Sequence, residues 1–187
     1  DNNINVLTNT KVKKILGTKS VEALELENGE KIAADLVILG LGVRPNGILA
    51  KEAGLDVNAK GAIVVDQYTR TSDPDIFAVG DCAEKKCFFT HKDVPVLLAS
   101  TAAMEAKIAG SNAFQLRLIR ANKGTISAFS TKIFGRTFAA AGITEARAKA
   151  EGFSINIGEF TTMDRHPGSL PGTSTTNIKL IFSNCSG

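Results

Sequence analysis

The sequence contains no tryptophan, one tyrosine, two methionines, two histidines and three cysteines in 187 residues. Cys82, Cys87 and Cys185 are too few, and odd in number, for the disulfide framework of a secreted domain. They point to a reducing compartment, and a cytoplasmic location is expected. With His91 and His166 at no ligand spacing from them, four zinc ligands do not assemble, and no metal is expected. No apolar run approaches the ~20 residues that span a bilayer; the longest, Leu36–Val43 and Val94–Ala103, fall well short, so no membrane partner is expected. An excess of charge of one sign is lacking as well. The net charge is +3, with 16 Lys/Arg against 15 Asp/Glu in residues 1–123 and 6 against 4 in residues 124–187. That balance excludes a nucleic-acid arm or an acidic-membrane surface. What is present, 43% apolar and 22% charged residues, is the composition of a globular protein long enough to bury a core without disulfides or metals.

Short strands are expected at Ile4–Leu7, Lys11–Leu16 and Val21–Leu26. Asn28-Gly29 then predicts a hairpin turn with two residues at positive φ, and Lys31–Ala34 returns antiparallel. Asp35-Leu36-Val37-Ile38-Leu39-Gly40 is a continuous apolar run closed by glycine, which predicts a strand buried on both faces. A short helix at Ile48–Ala53 ends at Gly54. Strands follow at Gly61–Asp66 and Ile76–Val79. Leu97–Asn112 is the best helix, alanine-rich, with Leu98, Ala102, Glu105, Ala106 and Ala109 at helical spacing. A polar connection at Arg117–Gly124 suggests a domain boundary. Beyond it lie six of the ten phenylalanines. There the pattern is a strand over Ser130–Ala139, a turn at Gly142 and a helix over Glu145–Glu151 with Thr144 as N-cap. Strands at Ser154–Phe160 and Asn177–Phe182 complete it. The expected fold class is α/β plus α+β.

The informative stretch is Thr71-Ser72-Asp73-Pro74-Asp75-Ile76-Phe77-Ala78-Val79-Gly80-Asp81. Asp73-Pro74 reads as a turn, and Gly80 lets backbone pass close to a ligand. Asp81 falls at the carboxyl end of a strand, where open α/β sheets bind ligands. An ionised carboxylate there suits a polyol hydroxyl; capping of a local turn is the plainer alternative.

Thr71–Asp81 resembles the second flavin-binding motif of the pyridine nucleotide–disulfide oxidoreductases. Gly40-Leu41-Gly42-Val43-Arg44-Pro45-Asn46 is similar to the glycine–proline turn that leads from their nicotinamide domain back to their flavin domain. Leu97-Leu98-Ala99-Ser100-Thr101-Ala102 is similar to the helix whose N-terminus faces the flavin. Within that superfamily the likeness is to NADH oxidases, NADH peroxidases and coenzyme A–disulfide reductases, and it covers essentially the whole chain. The resemblance implies FAD and NAD(P)H as cofactors. It implies that Gly80 and Asp81 meet the ribityl chain, that Pro95 fixes the start of the helix, and that Leu97, Leu98 and Ala99 bring free N–H groups and a positive dipole end to the pyrimidine edge of the isoalloxazine. The loop Asp164-Arg165-His166-Pro167-Gly168 resembles one that approaches the partner subunit's active site, which makes His166 a candidate substrate contact. Tyr68, the single tyrosine, lies outside that region, against a coenzyme A site there.

Cys82 and Cys87 have the Cys-x4-Cys spacing of a redox disulfide, but they follow Gly80-Asp81 and enclose Ala83-Glu84-Lys85-Lys86, a structural context; no catalytic residue is assigned. The resemblance further implies three segments. Residues 1–41 would be the end of an NAD(P)-binding domain, 42–123 the returning segment of an FAD-binding domain, and 124–187 an incomplete dimerisation domain that makes a homodimer. Together they would be part of a three-layer FAD/NAD(P)-binding fold. Such an enzyme needs two Gly-x-Gly-x-x-Gly turns and an upstream redox cysteine; none is found here. The start at Asp1 and the turn at Asn184–Gly187 after a strand agree with a C-terminal portion of a longer flavoenzyme. That enzyme would carry electrons from NAD(P)H through FAD to a small-molecule acceptor: a disulfide, peroxide or oxygen. The portion alone is expected to bind neither cofactor tightly and to be inactive. A ferredoxin- or rubredoxin-reductase-type flavoprotein, or a non-catalytic interaction module of the same fold, are the alternatives.

Overall fold

In the computed structural model, residues 3–114 and 120–184 are described. Cys185, the closing turn beyond Asn184 and residues 117–119 of the polar connection lie outside them. The chain divides into two compact units, Asp1–Gly42 and Val43–Gly187, each taken by itself below.

The first unit is an antiparallel three-stranded sheet of β1 (Val12–Leu16), β2 (Ala23–Leu26) and β3 (Lys31–Ala33), in that order. Register is set by Ile15 opposite Leu24 and Leu24 opposite Ile32, which stacks three apolar side chains on one face. On the other face Lys13 ties to Glu25 at 2.6 Å. The β2–β3 turn differs from the sequence expectation. Only Gly29 is left-handed, at φ +85°. Its N–H donates to the Leu26 carbonyl at 3.0 Å, while Leu26 N–H donates to the Glu30 carbonyl at 2.9 Å. This is a three-residue loop with a type I turn and a left-handed glycine, and Asn28 instead accepts the Glu30 N–H through its side chain at 3.0 Å.

Two expected strands do not form. Ile4–Leu7 is irregular, and so is Asp35–Gly40; Ile38 is 85% exposed. A doubly buried strand needs a ladder on its edges and cover on its faces, and the described residues provide neither to this run.

In the second unit, α1 (Ile48–Glu52) is closed by Gly54 at φ +84°, with Leu55 N–H reaching back to the Ala50 carbonyl at 2.9 Å. The expected strands at Gly61–Asp66 and Ile76–Val79 are replaced by single bridges, Val57 to Ile63, Ile63 to Ala83 and Arg70 to Phe77. Local turns compete with ladders here. The Asp66 carboxylate accepts the N–H groups of Tyr68 and Arg70 at 2.8 and 3.0 Å and the Arg70 Nε at 2.8 Å, which bends the chain within a few residues. The core is correspondingly small: Ala50, Ile63, Ala78 and Ala83, flanked by Leu55, Val57, Val65 and Cys82.

Helix α2 (Ala99–Ala113) begins two residues later than its sequence pattern suggests, with Leu98 as N-cap. Thr101, Ala102, Glu105, Ile108, Ala109 and Asn112 form its inner face, while Ala106 is exposed. The segment from Arg120 onward is pinned by Asn112, which exchanges hydrogen bonds with the Arg120 backbone at 3.0 Å. Gly124 then lies so close to Phe88 that an added Cβ would stand 2.7 Å from the Phe88 Cα.

The remaining elements are two hairpins and a helix. The stretch expected as one strand over Ser130–Ala139 is a hairpin of β4 (Ala128–Ile133) and β5 (Arg136–Ala141), because Phe134 at φ +54° starts a two-residue turn. Thr144 caps α3 (Glu145–Ala150) as expected, accepting the Arg147 N–H at 3.4 Å. β6 (Ile155–Met163) pairs along its whole length with β7 (Thr175–Ser183). Glu145 joins α3 to this hairpin, with Lys149 at 2.6 Å and Lys179 at 2.5 Å.

Two consequences are measurable. Gly124→Ala places a side chain both in left-handed backbone, at φ +106°, and against Phe88 backbone. It is expected to cost about 2–3 kcal/mol in urea denaturation. The two lysine hydrogen bonds lower the Glu145 carboxyl from its ordinary 4.5 to about 2. A lowered folded value means that its contribution is fully present above pH 4.5 and is lost as pH falls toward about 2. In thermal denaturation across that window, Glu145→Gln is expected to show a shallower acid loss than wild type.

Candidate functional site

The motif from Thr71 onward folds on itself before it reaches Gly80. Thr71 Oγ1 accepts the Asp73 N–H at 3.2 Å, the Asp73 carboxylate accepts the Asp75 N–H at 2.9 Å, and Ile76 N–H donates to the Asp73 carbonyl at 3.1 Å. This closed turn delivers Ala78 into the core and leaves the chain to emerge at Gly80-Asp81-Cys82, one turn of 3-10 helix that packs against α2. Gly80 is left-handed at φ +76°, and a Cβ there would touch the Ala102 methyl at 3.4 Å. The contact is an ordinary one, so it is the left-handed backbone that favours glycine here.

A buried ion pair holds this turn. Lys85 and Glu105 have side chains 1% and 5% exposed, 3.1 Å apart. Lys85 Nζ also donates to the Gly80 carbonyl at 2.5 Å and to the Ala83 carbonyl at 3.2 Å, so its three N–H bonds have three acceptors. Glu105 Oε2 accepts, in addition, the Gly80 N–H at 2.8 Å. Asp81 is exposed beyond this clamp. No hydrogen bond or ion pair to another described residue engages its carboxylate.

The start of α2 has a matching character. Leu98 offers no side-chain cap, and no acidic residue stands in the first turn. The first intrahelical bond runs from Ala102 N–H to the Leu98 carbonyl at 3.0 Å. The N–H groups of residues 99–101 are therefore left for solvent or a ligand, at the positive end of the helix. Pro95 and Ala99 are exposed, and Leu97 and Leu98 are half-buried. The structure thus places Leu97 just before the helix, Leu98 at its cap and Ala99 at its first position.

A cavity of about 390 Å³ brings Arg44 and Pro45 together with Lys60, Glu84, Pro95 and Leu97. Two segments that the sequence separates, the glycine–proline turn and the approach to α2, share this cavity. Gly80 and Asp81 do not line it. Beside it, Lys86 bonds Asp93 and lies 3.0 Å from Glu84, which holds the Asp93 carboxyl below the usual carboxylate range.

His166 is exposed in the β6–β7 loop, away from the cavity lining. That loop is closed by Asp164, whose N–H donates to the Ser174 carbonyl at 2.9 Å and whose carboxylate holds Arg165 at 2.9 and 3.0 Å. Cys82 and Cys87 are both free thiols. Cys82 donates to the Val79 carbonyl at 3.3 Å. Burial pushes the Cys87 thiol up, but hydrogen bonds from Thr90 and the Phe89 backbone, with the charge of Arg147, together outweigh it and hold the thiol below its ordinary value. Among the described residues no three His, Cys, Asp or Glu side chains gather where they could hold a metal ion, and no helix is long and apolar enough to cross a membrane.

Lys85 and Glu105 are a buried pair at the candidate site that the sequence does not announce. Glu84-Lys85-Lys86 reads as a solvated charge run. The one available signal is Glu105 itself, a carboxylate falling on the apolar stripe of α2.

Residues 1–111 match the family described as pyridine nucleotide-disulphide oxidoreductase. The chain is 32% identical over 182 residues to an NADH oxidase of Methanocaldococcus jannaschii, covering 96% of this chain and 39% of that protein. It is 30% identical to an NAD(P)H sulfur oxidoreductase (CoA-dependent) of Pyrococcus furiosus, covering 97% and 40%. The crystal structure of an NAD-dependent persulfide reductase from A. fulgidus superposes with a TM-score of 0.85 at 34% identity, over 97% of this chain and 33% of that one. The chain thus spans about two fifths of the length of these curated relatives.

Breaking the clamp from one side is expected to be severe. Glu105→Ala leaves the Lys85 ammonium buried without its counter-charge and Gly80 N–H without its acceptor. A loss of about 3–5 kcal/mol in chemical denaturation is expected, well beyond that of an exposed pair such as Lys13–Glu25.

Proposed function

Because the chain belongs to the pyridine nucleotide-disulphide oxidoreductase family, we propose that it forms one wall of an FAD site in an enzyme oxidising NAD(P)H. The observation that carries this reading is the unengaged Asp81 carboxylate, presented from a clamped turn packed on α2, whose first N–H groups are also uncapped. A carboxylate accepts hydrogen bonds from a polyol hydroxyl, and an uncapped helix start favours a group that gains negative charge. The donor and acceptor set therefore fits a flavin: Asp81 and Gly80 toward the ribityl chain, and Ala99, with Leu97 and Leu98 shaping the approach from Pro95, toward the pyrimidine edge. When bound, FAD supplies the two-electron acceptor that takes the hydride of NAD(P)H and relays its electrons to a disulfide, peroxide or oxygen. The residues of this chain hold and orient; none donates or removes a proton in this reading.

The same reading makes residues 1–41 the end of the NAD(P)-binding domain, 42–123 the returning part of the FAD-binding domain and 124–187 a dimerisation domain. Supporting the last is one whole face of the β6–β7 hairpin. Phe160, Ile178, Leu180 and Phe182 lie on it together by register, with Phe160 and Leu180 67% and 64% exposed. α3 serves the opposite face, where Glu145 meets Lys179. An apolar sheet face of this kind suits a second copy of the chain, and His166, in the loop of the same hairpin, would then stand near a substrate of the partner copy. A cytoplasmic enzyme fits the free thiols.

Neither Gly-x-Gly-x-x-Gly turn lies in these 187 residues, so the chain by itself is expected to retain neither FAD nor NADH oxidation. A purified 187-residue sample that is yellow and turns over NADH would overturn that. In the polypeptide that carries these residues in the cell, Asp81→Ala is expected to weaken FAD binding about tenfold or more, read by flavin fluorescence titration. Affinity equal to wild type would sink the flavin assignment. Sedimentation of the same polypeptide is expected to show a dimer, and Leu180→Asp with Phe182→Asp a monomer.

A further inference from the structure

We propose that Lys85 and Glu105 are positioning residues for the ligand site, acting through the Gly80–Asp81 turn; this rests on the flavin reading of Asp81. A buried ion pair is a costly way to fill space, since apolar side chains of similar volume generally leave a fold equally or more stable. This pair does something that such side chains cannot do. Glu105 takes the N–H of Gly80 at 2.8 Å and Lys85 takes its carbonyl at 2.5 Å. The peptide groups on either side of Gly80 are therefore both captured by charged, buried partners. Fixing those two planes at a left-handed residue places the Asp81 Cα. The 3-10 turn over Gly80–Cys82, closed by the Ala83 N–H on the same Gly80 carbonyl at 3.1 Å, fixes the remaining torsion and with it the direction in which the Asp81 Cα–Cβ bond leaves the backbone.

No hydrogen bond or ion pair among the described residues steadies the Asp81 carboxylate itself, so its aim comes from the backbone. Glu105 sits on α2, six residues after Ala99 and on the face buried against the turn. The clamp therefore also sets the turn relative to the helix whose N–H groups form the other part of the proposed site. Lys85 supplies the third side, tying the chain after the turn back onto it through the Ala83 carbonyl.

The test compares the neutral double variants Lys85→Met/Glu105→Leu and Lys85→Met/Glu105→Gln with wild type, in the polypeptide that carries these residues in the cell. The first keeps an apolar filling and removes every bond to Gly80; the second restores one acceptor for the Gly80 N–H. Lys85→Met/Glu105→Leu is expected to keep a cooperative unfolding transition and speed hydrogen exchange at the Gly80 amide, with β6–β7 amides unchanged. It is expected to weaken FAD binding by about tenfold to a hundredfold. Lys85→Met/Glu105→Gln is expected to recover part of both losses. In an Asp81→Ala background the Lys85→Met/Glu105→Leu change is expected to add almost nothing to the loss of affinity, because a residue acting through Asp81 has nothing left to aim. Additive losses would overturn the positioning role, and so would wild-type affinity in the leucine variant despite faster Gly80 exchange. Failure of both double variants to fold would make the pair a structural element instead. A wild-type protein that binds no FAD would overturn the flavin reading and this proposal together, whereas affinity lost on Asp81→Ala but kept in both double variants overturns this proposal alone.

Discussion

The Lys85–Glu105 ion pair is the constraint around which the second unit is organised. Its charges have left water, so every lone pair and N–H must be matched inside the protein. The partners recruited are the backbone of Gly80 and Ala83 and one another. Three segments that no described β-bridge joins to one another thereby converge on one point: the turn after Val79, the chain from Ala83 to Lys85, and the middle of α2. Coulombic attraction at low exposure does here what a long β-ladder does elsewhere.

That dependence follows from the kind of core the chain builds. Ala50, Ala78 and Ala83 bury little area each, and Ile63 is the one large residue among them. At roughly 25 cal/mol per Å² of apolar area removed from water, such a cluster contributes modestly. Directional bonds carry more of the definition: the Asp66 and Asp73 turns, the Asn112 bonds to Arg120, and the close pass of Gly124 over Phe88. The large apolar side chains instead lie outward, on the β6–β7 face and along residues 36–43. Surface of that kind suits contact with further protein, which is why a partner copy enters the proposed function.

Much of the architecture was legible in the residues. Helix α1 with its Gly54 stop, the Thr144 cap on α3, β1 to β3 and the β6–β7 pair all follow from periodicity and turn chemistry. The turn at Asp73-Pro74 and the start of α2 were legible too, because their chemistry is local. The misreadings share one cause. Asp35–Gly40, Gly61–Asp66 and Ile76–Val79 have strand-like composition, but a strand is a property of its neighbours, and a ladder needs a partner that composition cannot name. Ser130–Ala139 has the composition of one strand and Phe134 carries no turn signal; only its left-handed φ reveals the hairpin.

By itself, then, the sequence determined the chain's family, its helix boundaries to within two residues, and the identity of the acidic group at the proposed site. These depend on residues near one another along the chain, where backbone preference and short-range hydrogen bonding decide the outcome. Only the tertiary structure decided that Lys85, set in a run of charges, would be buried against Glu105, a residue 20 positions away. Only it decided that Arg44 and Leu97 would line one cavity. Burial of a charge is favourable only when distant partners arrive together, and no stretch of sequence contains that information until the chain has closed on itself.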